Sequence, residues 1–445
     1  MRNDRHGGQG RVGGRKAGPL DEKRVFLFLQ GPHGPYFQQL AAMMRTAGAD
    51  CWRVGFNAGD AFFWRDKAGY IPFDYGLEKW GNRFDQIVAD KAVTDIVLYG
   101  DARPIHAEAI ARAHIHGLTI HVFEEGYLRP YWISYERGGS NGHSRLMQMS
   151  VEEMRDVLAK SPVEPPVSPA RWGDMRQHIF YGALYHFFVM FNNRAYANFT
   201  PHRGVPVARE FLGYLKGLLL MPVTSAERRI ASRRIRLGRF PYHIALLQLE
   251  HDSSFQTHSP FATMADFLEE VLQAFAEGAP RHHHLVIKAH PLDDGNIGLR
   301  RQIRALAERY DLKGRVHFLR GGKLAELLAD TRTAVTVNST AGQQALYRGI
   351  PLRSFGKAVY NKPEFVSSQP LAEFFAGAIR PDRQAYGDYR RYLLETSQVA
   401  GGFYSARARR QLLRQIVDMM LAPEDPYEAL KSGTAAPRQQ LRIVP

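Results

Sequence analysis

Short apolar runs alternate with helix-like stretches along most of the chain, and this alternation restricts the fold more than any other feature. In the first half the runs are VFLFLQG (25–31), DIVLYG (95–100) and LTIHVFEEG (118–126), separated by stretches such as FQQLAAMMRTAG and PIHAEAIARAHIHG. In the second half HIALLQLEHD (243–252), HLVIKAHP (284–291), RVHFLRG (315–321), TAVTVNST (333–340) and PLRSFG (351–356) alternate with FATMADFLEEVLQAFAEG and LRRQIRALAERYD. Strands joined through helices in this way form parallel sheets with helices on both faces. Two sets in tandem predict an α/β protein of two Rossmann-like domains facing a cleft. A length of 445 residues is sufficient for both.

Such sheets gather ligands at the carboxyl ends of their strands, so the residues at those ends are the candidates for chemistry. Glu124 and Glu125 close the third run, Gly126 lets the chain turn, and Pro130 argues against re-entry into a sheet directly afterwards. A carboxylate pair there suits acid/base or nucleophilic work, although a solvated turn or helix start also favours anions. Gln248, Glu250, Asp252, Ser253, Ser254 and His258 follow one strand of the second half, and Lys288, His290, Pro291 and Asp293 follow another. Asn338, Ser339, Thr340 and Gly342 follow a third, where hydroxyls and free backbone N–H groups at a helix start suit a phosphate. Each motif alone has an ordinary counterpart as an N-cap, a turn or a loop. Their recurrence at strand ends raises the functional reading.

The net charge of +15 is concentrated in one place. Residues 171–245 carry twelve Arg/Lys against three Asp/Glu, a net of +9. The segment includes the apolar IFYGALYHFFVMF (179–191), too short for the roughly twenty residues of a bilayer-spanning helix. It also includes AERRIASRRIRLGRF (226–240), where Arg228, Arg229, Arg233, Arg234 and Arg236 crowd a few helical turns. Aromatic surface beside arginines suits peripheral contact with anionic lipid, while packing of the apolar run in the core is the plainer alternative. The segment shows no nucleic-acid-binding motif. Cys51 is the single cysteine, so neither an intrachain disulfide nor a cysteine-based zinc cluster is available, and the polar, Gly-rich N-terminus lacks the apolar core of a signal peptide. A cytoplasmic protein is expected.

The ordered set of Glu-Glu-Gly, Lys-x-His-Pro and Asn-Ser-Thr resembles the KpsS/LipB capsule-polysaccharide synthesis family. LQGPHGPYFQQLA (29–41), YGDARPIHAEAI (99–110), EEGYLRPYWISYE (124–136) and TVNSTAGQQALYRGIPLRSFGKAVYNKP (336–363) reinforce the resemblance, which spans residues 25 to about 375. It implies a GT-B-like glycosyltransferase that takes Kdo from CMP-β-Kdo and builds the β-Kdo linker of a capsule on a phosphatidylglycerol-type lipid.

Carried over residue by residue, the resemblance gives His290, Pro291, Asn338, Ser339 and Thr340 the nucleotide-sugar phosphate, with Lys288 adding positive charge. It gives the Glu124/Glu125 pair the acid/base role, with Glu125 preferred because it lies nearer the turn, and it gives Asp252 the attack on the anomeric carbon. Gly31 and Gly34 of the GPHGPYF turn, with Arg129, are candidates for the acceptor. No metal or other cofactor is required by this scheme. The expected partners are the CMP-sugar donor, an anionic lipid acceptor, the inner-membrane surface and other capsule synthesis or export proteins, without nucleic acid. The expected layout is a flexible basic tail (1–24), an acceptor-side domain (25–165), a helical basic and aromatic segment (166–240), a nucleotide-sugar domain (241–378), C-terminal helices (379–430) and a tail (431–445). Two alternatives stay open: a non-catalytic capsule-export adaptor at the inner membrane, and a transferase for another CMP-sugar such as sialic acid.

Overall fold

The computed structural model describes residues 23–160, 175–200, 219–290, 298–320 and 322–435, with a few positions between 208 and 216. Two sheets are present. The first contains β1 (Val25–Phe28), β2 (Asp50–Gly55), β3 (Tyr70–Pro72), β4 (Asp95–Tyr99), β5 (Thr119–Glu125), β6 (Trp132–Arg137) and β12 (Gln398–Ala400). The second contains β7 (Tyr242–Leu246), β8 (His284–Lys288), β9 (Val316–Leu319), β10 (Thr331–Thr336) and β11 (Leu352–Ser354). Their orders are β12-β6-β5-β4-β1-β2-β3 and β11-β10-β7-β8-β9. The α/β class with two Rossmann-like sheets is therefore as expected.

The apolar runs are continuous because each sheet has helices on both faces. On β1, Phe26 and Phe28 point into one core with Phe37, Phe123 and the Ala406–Leu421 helix, while Val25, Leu27 and Leu29 point into the opposite one with Trp80 and Phe84. The second sheet divides in the same way, with Ala245, Leu285 and Ile287 on one side and Ile244, Val286 and Ala334 on the other. Successive side chains of a strand alternate between faces, so one unbroken apolar run supplies two cores.

The structure departs from the sequence reading at the ends of the first sheet. Pro130 does not keep the chain out of it: β6 returns at once, antiparallel to β5, with Glu124 opposite Ser134 and Glu125 opposite Ile133. The proline sits in the connecting loop, outside the ladder, so its missing N–H breaks no sheet hydrogen bond. The first sheet is thus not wholly parallel. The region 379–430 is not helices alone either, since β12 lies within it and pairs antiparallel with β6. One core cluster then joins Tyr127, Leu128 and Trp132 of the hairpin to Ile244 and Leu352 of the second sheet and to Tyr389, Leu393 and Tyr427 of the C-terminal region. Buried Glu136 reinforces that joint by accepting hydrogen bonds from Tyr127 Oη at 2.5 Å and Tyr427 Oη at 2.8 Å.

Candidate functional site

Residues at the carboxyl ends of the two sheets come together, Asp252 acting on Glu124 and His258 lying against Gly142 and His143. On the first sheet, β5 delivers Glu124 and Glu125, both partly buried. Glu124 Oε1 accepts the Glu125 backbone N–H at 3.1 Å, and Oε2 lies 3.1 Å from where a Cβ would stand on Gly100. Gly100 also has φ +71°, so the turn after β4 needs glycine both for its conformation and for room beside the carboxylate. Burial, with the charges of Asp252, Glu125 and Asp101 adding to it, raises the Glu124 carboxyl to about 8. Gly126 is equally constrained: any Cβ there would run into the Trp132 carbonyl of the returning strand.

On the second sheet, β8 carries the nearly buried Lys288 and leads to His290. Burial, then the positive charge of Arg129, lower the His290 imidazole to about 4; Asp252 opposes the shift, and Lys288 and His251 add to it. Arg129 belongs to the β5–β6 loop and was assigned to the acceptor from sequence. Its charge acts on His290, which follows β8. Asp252 is exposed and caps the Ser253–His258 helix, its Oδ1 accepting Ser254 N–H at 3.2 Å. It influences both Glu124 and His290, so these three groups share one field.

Asn338 is differently employed. Its side chain accepts from Gln248 Nε2 at 2.6 Å and donates to the Ser254 carbonyl at 3.0 Å, while its N–H bonds Gln248 Oε1 at 2.9 Å. It braces the end of β7 and the Asp252-bearing helix against β10. Ser339 and Thr340 are partly exposed at the start of the Ala341–Tyr347 helix, and Ser339 Oγ accepts Ala341 N–H at 3.2 Å. Pro291 and Asp293 lie outside the described residues.

The GPHGPYF turn is roofed by the Met175–Asn192 helix. Tyr181 lies against Gly34, His33 stacks on Tyr185 at 4.2 Å, and Gly31 leaves space that the Phe37 ring fills. Packing therefore accounts for both glycines. The arginines Arg229, Arg233, Arg234 and Arg236 are exposed on the Met221–Gly238 helix, apart from the cleft residues, and the side chain of Arg228 is outside the described residues.

Sequence reasoning did not single out Asp101 or His143. Asp101 is buried, accepts Ser140 N–H at 2.7 Å and faces His143 Nδ1 at 3.3 Å, and His143 meets His258 edge-on at 4.8 Å. The conspicuous signal was Gly100-Asp101 directly after β4, a strand end like the others.

Comparison with known proteins shows the family of the chain. The sequence profile described as "Capsule polysaccharide biosynthesis protein" matches residues 94–404. The capsule polysaccharide modification protein LipB of Neisseria meningitidis serogroup A is 30% identical over 398 residues, covering 87% of this chain and 93% of its own length. The capsule polysaccharide export protein KpsS of Escherichia coli is 31% identical over 390 residues, covering 86% of this chain and 97% of its own. Among solved structures, the β Kdo 2,7 transferase of Thermosulfurimonas dismutans KpsC aligns over 83% of this chain and 99% of that one, at 11% identity and a TM-score of 0.37. On its sequence, the chain belongs to the capsule polysaccharide biosynthesis family.

Proposed function

We propose that the chain is a retaining glycosyltransferase that moves Kdo from CMP-β-Kdo to a phosphatidylglycerol-type lipid, starting the linker of a capsule polysaccharide. The observation that carries this reading is the shared field of Glu124, Asp252 and His290 across the cleft. An adaptor has no use for a protonatable carboxylate that shares the influence of Asp252 with a histidine flanked by Arg129 and Lys288. In the first step an Asp252 oxygen bonds to the anomeric carbon as the bond from that carbon to the phosphate oxygen breaks, and CMP leaves with the electron pair. His290, Lys288, Arg129 and the hydroxyls of Ser339 and Thr340 steady the developing phosphate charge. In the second step an acceptor hydroxyl oxygen attacks the same carbon, its proton passes to a glutamate, and Asp252 departs as a carboxylate. Two displacements give net retention.

The raised pKa supports Glu124, rather than the expected Glu125, as that glutamate. At neutral pH its carboxyl is largely protonated in the empty site. Esterification of Asp252 removes one of the negative charges that hold the proton, so Glu124 becomes more readily ionised as the acceptor needs a base. The test is incubation with CMP-β-Kdo and short-chain phosphatidylglycerol across pH 6–9, with products weighed by mass spectrometry. A lipid heavier by one Kdo is expected, formed faster as pH rises toward about 8 and without that rise in Glu124→Gln. A product from CMP-sialic acid alone would replace the donor, and no product from either would end the transferase reading.

A lipid acceptor requires the enzyme to visit the bilayer surface. Among the described residues no helix is long and apolar enough to cross a membrane. On the Met221–Gly238 helix, however, exposed Val223, Ile230 and Leu237 recur every seven residues beside exposed arginines. Phe180, Phe187 and Phe191 are exposed on the Met175–Asn192 helix as well. Apolar and cationic surface together suit an anionic interface, each arginine contributing about 1 kcal/mol near the surface. The protein is expected to sediment with phosphatidylglycerol vesicles at low salt and be released at high salt. Gln at positions 229, 233, 234 and 236 should lower sedimentation at least about tenfold; unchanged sedimentation would return those arginines to a solvated face.

A further inference from the structure

A cavity of about 240 Å³ opens at the carboxyl ends of β1, β2 and β3, on the same sheet edge as Glu124. Phe56, Phe73, Leu77, Ile105 and Phe199 line it, with Gln30 among its polar groups. That volume is below the ~300–1,000 Å³ of sites that engulf a whole drug-sized ligand, so it suits one apolar segment of something larger. A succession of neighbouring side chains leads from the polar wall toward the carboxylates. Gln30 Oε1 accepts from Arg103 Nη1 at 3.4 Å, the Arg103 guanidinium lies 5.6 Å from the centre of the Tyr99 ring, and the Tyr99 phenol feels the charges of Glu125 and Glu124. Gln30 and Arg103 stand where the strand order reverses between β4 and β1, the place at which such sheets bind ligands. The opposite wall, Asn198 to Thr200, follows closely on the Met175–Asn192 helix with its exposed phenylalanines.

We infer that this cavity receives the hydrocarbon chain of an amphiphilic acceptor whose polar end passes Arg103 toward Glu124. This deepens the lipid-acceptor reading above and rests on it for the identity of the amphiphile. An aromatic-lined pocket explains how a hydroxyl could be presented reproducibly at the carboxylates, since a chain held at one end fixes the reach of the other.

The test uses a single-chain phosphatidylglycerol brominated near the chain end, below its micelle concentration and without any nucleotide-sugar. Trp80 packs 4.9 Å from Phe56 and 5.2 Å from Phe73, so bromine in the cavity should quench it, and Trp80→Phe identifies that component of the fluorescence. Saturable quenching is expected, weakening about fourfold for each methylene removed from the buried part of the chain. Glycerophosphoglycerol, which lacks a chain, should not compete. Leu77→Glu, at the exposed rim, should weaken quenching at least tenfold while leaving vesicle sedimentation unchanged, which separates the cavity from adsorption to the surface. No Trp80-specific quenching, or equal affinity in Leu77→Glu, would overturn the assignment. Because no donor is present, quenching without sugar transfer would reject only the transferase reading, and transfer without quenching would reject only the cavity.

Discussion

Asp252→Ala is expected to lower sugar transfer by about 10⁴-fold or more while CMP still binds, because a nucleophile acts on the sugar and its loss removes the covalent route. The fold should survive. The lost cap to Ser254 costs about 1 kcal/mol, and the helix remains held by Asn338 at the Ser254 carbonyl and by Lys357 N–H at the His258 carbonyl, 2.9 Å away. Asp252→Asn keeps the cap and should be equally inactive, which separates chemistry from packing. Removing a negative charge beside His290 and Lys288 should leave CMP affinity equal or higher. Turnover within tenfold of the parent protein in either variant would remove the covalent step.

His290→Ala should cost about 10²–10³-fold in turnover, the usual loss when one donor to a developing oxyanion is removed. Unlike the Asp252 variants, it should also weaken CMP. The pH dependence gives a sharper signature. In the empty site the imidazole sits at about 4, so it is neutral at pH 7. A phosphate beside it favours the protonated form, so the pKa in the complex is higher than in the free protein. Affinity then gains as pH falls through the complex value and is lost as pH rises through it. CMP should bind more tightly at pH 6 than at pH 8 in the parent protein. The additional affinity at low pH should be largely absent in His290→Ala, as measured by calorimetry. Identical pH profiles for the two proteins would detach His290 from the phosphate.

Much of the sheet architecture was legible because both sheets are covered on both faces, which leaves strands such as VFLF as unbroken apolar runs ending in polar residues. The strands that escaped notice lack that signal. β12 is three residues long and β3 likewise, β2 (DCWRVG) is interrupted by Arg53, buried in an ion pair with Asp60, and β6 follows a proline whose effect depends on whether it falls inside or outside the ladder. The candidate site was legible as strand ends, but not the division of labour within it. Nearness to the turn favoured Glu125 in the sequence; in the structure it is Glu124 that lies beside Gly100 and feels the charge of Asp252. Asn338 reads as a ligand residue until its three hydrogen bonds to Gln248 and Ser254 are seen. Asp101, His143 and His258 come from three separate stretches, so only the folded chain brings them together.

The return of the C-terminal region to the first sheet bears on how the chain is made. Strand β6 has β5 on one side and, on the other, only β12, which emerges from the ribosome more than 250 residues later. Until then the nascent protein displays an unpaired edge next to Trp132 and Ile133, the kind of edge that recruits other chains. Domains in general fold in the order of their synthesis, but here the first cannot close before the second is complete. Biogenesis of the two halves is therefore coupled, and a release at residue 378 would yield a finished second sheet attached to a permanently open first one.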